Sequence, residues 1–385
     1  MLPASPLRVL VVDNSRGITG ALNAMRRAAG ALRPGIDFEW VLPTGSTGRT
    51  ELEADGYVVH ELPFVELSRR KFDLLRYLPM LLLNGWRLYR LAARRSVTIL
   101  HVNDYYNLTA YVARWLSGCR LPVFTHVRFL PQTQLPFLAR SWRWMAEHAA
   151  QQVLCVSDSV RAYFALGHAR VQMVYDALPG CLERLPLYAV RPQAARAVQL
   201  LYLGNYIRGK GQNFALEAFR LAHAHNSNLR LRFMGGDMGL AKNRAFRDEL
   251  EATARAMGLS NYVQFDGFTA DPEAAIKAHD IVLNFSEAES FSLTCLDALY
   301  YGVPLIATDC GGPAELFETG QSGLLVPNRD VQAMAAAMGE LAANVGLRKQ
   351  FSVASRLYVL RKFSPMRTYY MLAGYYRQSY PAFNH

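Results

Sequence analysis

Short runs of aliphatic and β-branched residues alternate along this chain with stretches whose apolar positions recur every three or four residues. The first pattern predicts strands and the second amphipathic helices. In the first half, strands are predicted at 7–13, 38–43, 57–62, 97–102, 122–127, 152–156 and 171–175, with helices such as 21–32 and 106–116 between them. Periodicity then fades over 178–197, where Pro179, Pro186 and Pro192 mark a linker. A second series follows. Strands are predicted at 198–203, 229–234, 262–265, 281–285, 304–308 and 323–326, and helices at 213–225, 243–256, 272–278, 294–301 and 331–343. The Tyr- and Met-rich tail, 365–380, reads as a last helix. Strands alternating with helices imply an α/β protein with parallel sheets and crossover helices. Open sheets of that kind bind ligands beyond the carboxyl ends of their strands.

Length turns this pattern into two bodies. At 385 residues the chain exceeds one core of ordinary size. The division read from the pattern is an N-terminal domain at 1–185, a linker at 186–197, a second domain at 198–364 and a terminal helix at 365–385. With 51% hydrophobic and 19% charged residues, long disorder is excluded. The start, MLPASPLRVLVVD, lacks the basic region of a secretory signal, and Asp13 ends its apolar run at strand length. No stretch reaches the roughly 20 apolar residues that a membrane span needs. The longest candidate, 74–88, is broken by Arg76, Pro79, Asn84 and Arg87. Cys119, Cys155, Cys181, Cys295 and Cys310 are odd in number and form no CxxC pair, so reduced thiols in a cytoplasmic protein are expected.

The net charge of +11 calls for an anionic partner: nucleic acid, a membrane face or a substrate. Much of it gathers at 68–95, in Arg69, Arg70, Lys71, Arg76, Arg87, Arg90, Arg94 and Arg95, interleaved with Leu, Trp and Tyr. Two readings fit. One is an interfacial surface on the inner face of a membrane. The other is ordinary domain helices with apolar inner faces and arginines in water. No nucleic-acid motif accompanies the charge, so no nucleic-acid partner is expected.

The candidate chemistry lies in the second half, in NFSEAESFSLTCLDALYYGVPLIATDCGGPAELFETGQSGLLVPNRD at 284–330. Glu289 follows a predicted strand, and Asp297 stands eight positions on, inside the next helix. A carboxylate accepts from two vicinal hydroxyls at once. Between the acids, Ser290, Phe291, Ser292, Leu293 and Thr294 turn into the helix, whose first N–H groups favour an anion. Upstream, in LYLGNYIRGKGQNFALEAF at 201–219, Lys210 is flanked by Gly209 and Gly211.

These segments resemble the donor-binding signature of retaining glycosyltransferase family 4, also called glycosyl transferases group 1. The resemblance implies the GT-B fold: two facing Rossmann-like domains with parallel sheets, an interdomain cleft, and a last helix crossing back to the first domain. It also implies residue roles. The family pattern is E-x7-E, here E-x7-D. Glu289 would bond the donor sugar, and Asp297, one methylene shorter than the family glutamate, the ribose. Ser290 and Ser292 stand where glycine is frequent. Lys210 falls on the lysine that pairs with the donor phosphates. Asn205 occupies the family arginine position, with Arg208 nearby as a substitute. Gly235, Gly236 and the loop 266–269 with Phe268 would close the nucleoside pocket. Gly311, Gly312 and Glu315 match a GG-x-x-E element.

On the acceptor side the resemblance is more diffuse. Gly17 and Gly20, in RGITG after the first strand, correspond to a glycine loop near the donor phosphates, and Arg16 beside them to an acceptor contact. His126, in VFTHVRF, falls where the family often has a functional histidine; it would bond the sugar or assist the acceptor proton, and a structural role is equally open. Arg128 would hold an anionic acceptor. Asp104, in HVND with His101 and Asn103, would be an acceptor contact or a structural residue.

The activity implied is retaining transfer of a sugar from a nucleoside-diphosphate sugar to a glycan, glycolipid or other hydroxyl acceptor, in cell-surface polysaccharide or lipopolysaccharide synthesis. His126, Lys210 and Glu289 would carry it. No DxD motif is present, and neither metal nor cofactor is expected. Two rivals remain: a non-catalytic nucleotide-sugar or glycan binder, favoured by the departures at Asn205 and Asp297, and a GT-B sugar-nucleotide epimerase.

Overall fold

The computed structural model describes residues 7–65, 71–164, 168–179 and 197–379, with only the backbone at 71–75. The chain forms two compact units, Met1–Gly180 with Pro365–His385, and Cys181–Ser364. Most of the expected linker, 186–196, lies outside the described residues.

The first unit is built on a seven-stranded sheet: β1 (Arg8–Val12), β2 (Asp37–Pro43), β3 (Val58–Leu62), β4 (Ile99–Val102), β5 (Val123–Val127), β6 (Gln152–Cys155) and β7 (Val171–Met173). Their order is β3-β2-β1-β4-β5-β6-β7, and every pairing is parallel. Val9, Leu10, Val11 and Val12 are all fully buried. Helices cover both faces of such a sheet, so an unbroken apolar run suits a central strand. Winding reverses between β1 and β4, which makes that junction the topological switch point of the sheet.

The terminal helix Pro365–Ser379 belongs to this unit. Its Leu372, Ala373 and Tyr376 share a core with Val9, Phe38 and Phe124. The Tyr376 ring packs edge-on against Phe38 and Phe124, and its hydroxyl meets His101 Nδ1 at 2.7 Å.

The long helix Lys71–Arg94, within the basic stretch, has a buried and an exposed face. Asn84, Leu88 and Ala92 are buried, whereas Leu78, Leu82 and Trp86, four residues apart, share an exposed stripe. Arg76, Arg87, Arg90 and Arg94 are exposed around it, and the Arg90 guanidinium lies over the Trp86 ring. Arg69, Arg70 and the Lys71 side chain lie outside the described residues. The helix expected from 106 starts at Thr109, because Asp104, Asn107 and their backbone partners fold the preceding residues into a turn.

The second unit repeats the winding. Its strands β8 (Val198–Leu203), β9 (Leu229–Met234), β10 (Val263–Asp266), β11 (Ile281–Asn284), β12 (Leu305–Thr308) and β13 (Leu324–Val326) form a parallel sheet in the order β10-β9-β8-β11-β12-β13. The switch point lies between β8 and β11. Phe233 anchors the core beside it, stacked on Phe265 and tilted against Tyr202. Burying side chains of this size contributes about 1.5–3 kcal/mol each.

Candidate active site

The loops after β8 and β11 meet at the switch point of the second unit. Lys210 Nζ donates to Glu289 Oε2 at 2.6 Å, although the two residues are 79 positions apart. The Glu289 side chain is 15% exposed and that of Lys210 36%, so the pair is lined by protein on one side and open on the other. Burial pulls the Lys210 ammonium downward; the Glu289 carboxylate overcomes this and holds it above the usual lysine range. Lysine has three N–H donors, and Glu289 takes one of them.

Backbone bonds hold the pair in place. Glu289 pairs with the loop after β12: its N–H reaches Cys310 O at 3.1 Å, and its carbonyl accepts from Gly312 N at 2.8 Å. A Cβ on Gly312 would stand 2.2 Å from Ser290 O, so only glycine permits this approach. On the lysine side, Gly211 has φ +80°, and a Cβ there would meet Phe285 O at 1.8 Å. Glu287 N donates to Gly209 O at 2.8 Å, joining the two loops directly.

Tyr202 supports the candidate site, and motif reading missed it. It lies on β8, buried to 3% exposure. Its hydroxyl donates to Lys210 O and accepts from Phe285 N at 2.8 Å. One phenol thus fixes the backbone under Lys210 and the exit of β11. The usable signal was an aromatic on the strand that feeds a KG loop, where Leu or Val would serve packing alone.

The turn after Glu289 is a cap. Ser292 Oγ accepts from Cys295 N at 3.3 Å and from Asn284 Nδ2 at 3.0 Å, starting the helix Leu293–Tyr300. Ser292 has φ +78°, a left-handed value that favours glycine. The N–H groups of Leu293 and Thr294, as at any helix start, lack intrahelical partners. Phe291 turns inward instead: it is 2% exposed and packs edge-on against Phe363, so only its backbone faces the turn. Asp297 is 6% exposed within the same helix.

A second junction ties the loops after β8, β9 and β10. Asn205 Oδ1 accepts from Gly236 N at 3.1 Å, and Gly235 N donates to Gly267 O at 3.1 Å. Asn205 therefore serves as a loop clasp at the position where the resemblance implied a cation. Phe268 stands against Gly236 and is 61% exposed. Arg208, expected as the substitute cation, extends elsewhere. Its guanidinium pairs with Glu249 and lies over the Phe246 ring, both on the helix Ala241–Ala256.

In the first unit the expected acceptor residues form a buried polar cluster. Arg128 pairs with Asp176, donates to Asn103 Oδ1 at 2.7 Å, and stands 3.2 Å from His126 Nδ1. Its side chain is 4% exposed, so the guanidinium expected to meet an anionic acceptor is spent inside the protein. His126 is buried edge-on against His101. Burial, then the nearby Arg128, holds both imidazoles below the usual histidine range, His101 at about 3. Asp104 Oδ1 accepts from Tyr105 N and Arg128 N, and burial lifts its carboxyl to about 7. Arg16 is exposed beside Gly17, and Thr19 caps the helix that Gly20 begins, accepting from Leu22 N.

Comparison with known proteins decides the family. The chain matches Glycosyltransferase Family 4 over residues 24–176 and Glycosyl transferases group 1 over 197–344. It belongs to the family 4, group 1 glycosyltransferases. The second match contains the whole Lys210–Glu289 site. Among curated relatives of this family 4 chain, the glycogen synthase of Mycobacterium tuberculosis is 27% identical over 201 residues, covering 51% of this chain and 46% of the relative. The D-inositol 3-phosphate glycosyltransferase of Corynebacterium urealyticum is 33% identical over 148 residues, covering 37% and 34%. The matches span less than half the length of these relatives. Among solved structures, Anabaena HepE in complex with UDP and glucose superposes with a TM-score of 0.79 at 18% identity, covering 96% of this chain and 98% of that one. At that identity the likeness is one of fold, and the fold is GT-B.

Proposed function

We propose that the chain is a retaining glycosyltransferase that moves a sugar from a nucleoside-diphosphate donor to a hydroxyl acceptor. The Lys210–Glu289 ion pair at the switch point of the second sheet carries this reading. Glu289 accepts from donor-sugar hydroxyls. Lys210 turns its remaining N–H donors to the diphosphate, together with the helix start at Leu293 and Thr294. As the glycosidic bond breaks, charge grows on the departing phosphate, and these donors hold it more tightly than in the ground state. No metal is required for that step. The exposed Phe268 ring offers a face to the base, and Asp297 a carboxylate to the ribose. A uridine diphosphate sugar is the first donor to try, because HepE was solved with UDP and glucose.

The test is a thermal-shift screen of nucleoside diphosphates and their sugars, followed by transfer assays in chelator. Lys210→Ala and Glu289→Gln should each lower kcat/KM by about 10²–10³ while melting near the wild-type temperature. NMR of the product should show the donor's anomeric configuration. Turnover near wild type in either variant removes that residue from the site. Binding without transfer would favour a binder, and interconversion of free sugar nucleotides an epimerase.

The exposed stripe of Leu78, Leu82 and Trp86, set among arginines, supports a peripheral position on an anionic membrane face. Among the described residues no helix is long and apolar enough to cross a membrane. A role in envelope polysaccharide or lipopolysaccharide synthesis goes with that position. Leu82→Asp should abolish co-sedimentation with anionic vesicles at low salt. Retained binding in that variant would remove the stripe from the reading.

A further inference from the structure

The first unit holds a hollow of about 470 Å³ where the loops after β1, β3, β4 and β5 meet the helix Lys71–Arg94. This volume is in the range of pockets that hold small ligands, about 300–1,000 Å³. Its wall is partly aromatic: Tyr106 lies 5.4 Å from Phe129 and 6.1 Å from Trp142, ring to ring. Against that wall stand Asn14, Asn84, Asp104 and Gln134. Among the described residues, one carboxyl and no cation line it.

Two of the polar groups have capacity left. Asn84 is 2% exposed; its Nδ2 donates to Pro63 O at 3.0 Å, but its buried Oδ1 has no partner. An unanswered buried carbonyl is costly unless something supplies a donor. Asp104 uses Oδ1 for two backbone N–H groups, which leaves Oδ2. With its carboxyl lifted to about 7, it can donate or accept near neutral pH.

We propose that this hollow binds an uncharged sugar ring of the acceptor, its C–H face on Tyr106 and a hydroxyl on Asp104. The chemistry selects the class. An alkyl chain would leave the amides and the carboxyl unanswered. Among the described residues a phosphate or carboxylate acceptor would meet Asp104 and no lining cation, because the Arg128 guanidinium, whose charge acts on Asp104, does not line the hollow. A pyranose has both an apolar face and hydroxyls, and so answers both sides of the hollow. Arg128, the residue from which an anionic acceptor was expected, is closed within its own cluster. The inference rests on the transferase reading for the word acceptor, but not for binding.

The experiment uses the full chain without donor. Saturation-transfer NMR is recorded with neutral methyl glycosides (gluco, galacto, manno and N-acetylglucosamine), with glucose 6-phosphate and with octanol. At least one neutral glycoside should show transfer concentrated on one face of ring protons, and the phosphate and the alcohol should not. Tyr106→Ala should weaken that binding about tenfold, Tyr106→Phe by less than about threefold, because the ring rather than its hydroxyl supplies the surface. Gln134 is exposed, so Gln134→Ala tests the same site at little risk to folding and should weaken binding measurably. Binding of octanol or glucose 6-phosphate in place of the glycosides, no binding of any neutral glycoside, or wild-type affinity in folded Tyr106→Ala would each overturn the proposal. Stabilisation by UDP is read on the same samples. Its failure alone would count against the donor site and leave the hollow standing.

Discussion

Removing one oxygen from the second unit should separate positioning from chemistry. Tyr202→Phe keeps the ring packed against Phe233 and Phe285 and deletes the hydroxyl that joins Lys210 O to Phe285 N. The Phe285 N–H is buried, so losing its acceptor costs the desolvation of an orphaned donor, about 1–3 kcal/mol. The Lys210 carbonyl is only partly buried and can recruit water, so its loss adds about 0.5–1.5 kcal/mol. The sum is about 1.5–4.5 kcal/mol, which for a unit of this size lowers its melting temperature by roughly 3–18 °C. Catalysis should suffer separately. With its backbone loosened, Lys210 no longer approaches the phosphates from a fixed position, and kcat/KM should fall about tenfold, with most of the loss in kcat. Calorimetry and saturation kinetics on the full chain read the two effects. Tyr111→Phe is the control: it removes a buried bond to Thr125 Oγ1 in the first unit and should cost stability while leaving donor kinetics unchanged. If Tyr202→Phe melts within about 1 °C of wild type, or loses stability with kinetics untouched, the assignment of Tyr202 as the support of Lys210 is refuted.

Ser292 and Asp104 give sharper contrasts. Ser292→Gly and Ser292→Ala both lose the cap and the acceptor for Asn284 Nδ2, but only Ser292→Gly relieves the left-handed backbone, so in urea denaturation the glycine variant should be the more stable of the two by about 1–2 kcal/mol. The folded protein holds the Asp104 proton to about pH 7, against an ordinary value of 3.8. Stability from that proton is therefore full below the ordinary value and lost as pH rises toward 7. Asp13 shifts the same way, buried His101 and His126 the opposite way, and Arg128 faces them all. Asp104→Asn isolates the one term: chemical denaturation should find it no more stable than wild type at acid pH, and more stable above pH 7 by up to about 4 kcal/mol. Equal stability at alkaline pH would contradict the burial argument.

The pattern of apolar runs was enough to place all thirteen strands found among the described residues, because parallel strands covered on both faces cannot hide their composition. Val198–Leu203 and Leu229–Met234 coincide with the expected limits. Lys210 and Glu289 were legible for a different reason. Each sits among residues that are costly without a purpose, glycines beside one and a capping turn beside the other. Tyr202 carried no such mark, since a tyrosine on a strand is also what packing alone would choose. Asn205 and Arg208 show the converse limit. Both were read by position in a loop, but side-chain direction follows from which neighbour answers. Gly236 answered one, and Glu249 with the Phe246 ring the other.

The first unit was harder to read because its polar residues serve two purposes that look alike in sequence. Asp13, Asn103, Arg128 and Asp176 come from the ends of β1, β4 and β5 and from beyond β7, and they bond one another below the surface. His126 joins them through Arg128, and His101 links to the terminal helix through Tyr376. Truncating one member strands a partner's buried charge, at about 3–5 kcal/mol. An inactive Arg128→Ala would therefore say little about an anionic acceptor, because the same loss follows from splayed strand ends. The informative positions lie one layer out, at Tyr106 and Gln134. These line the hollow, and neither carries a charge whose truncation would strand a buried ion, so a change in binding there reports on recognition.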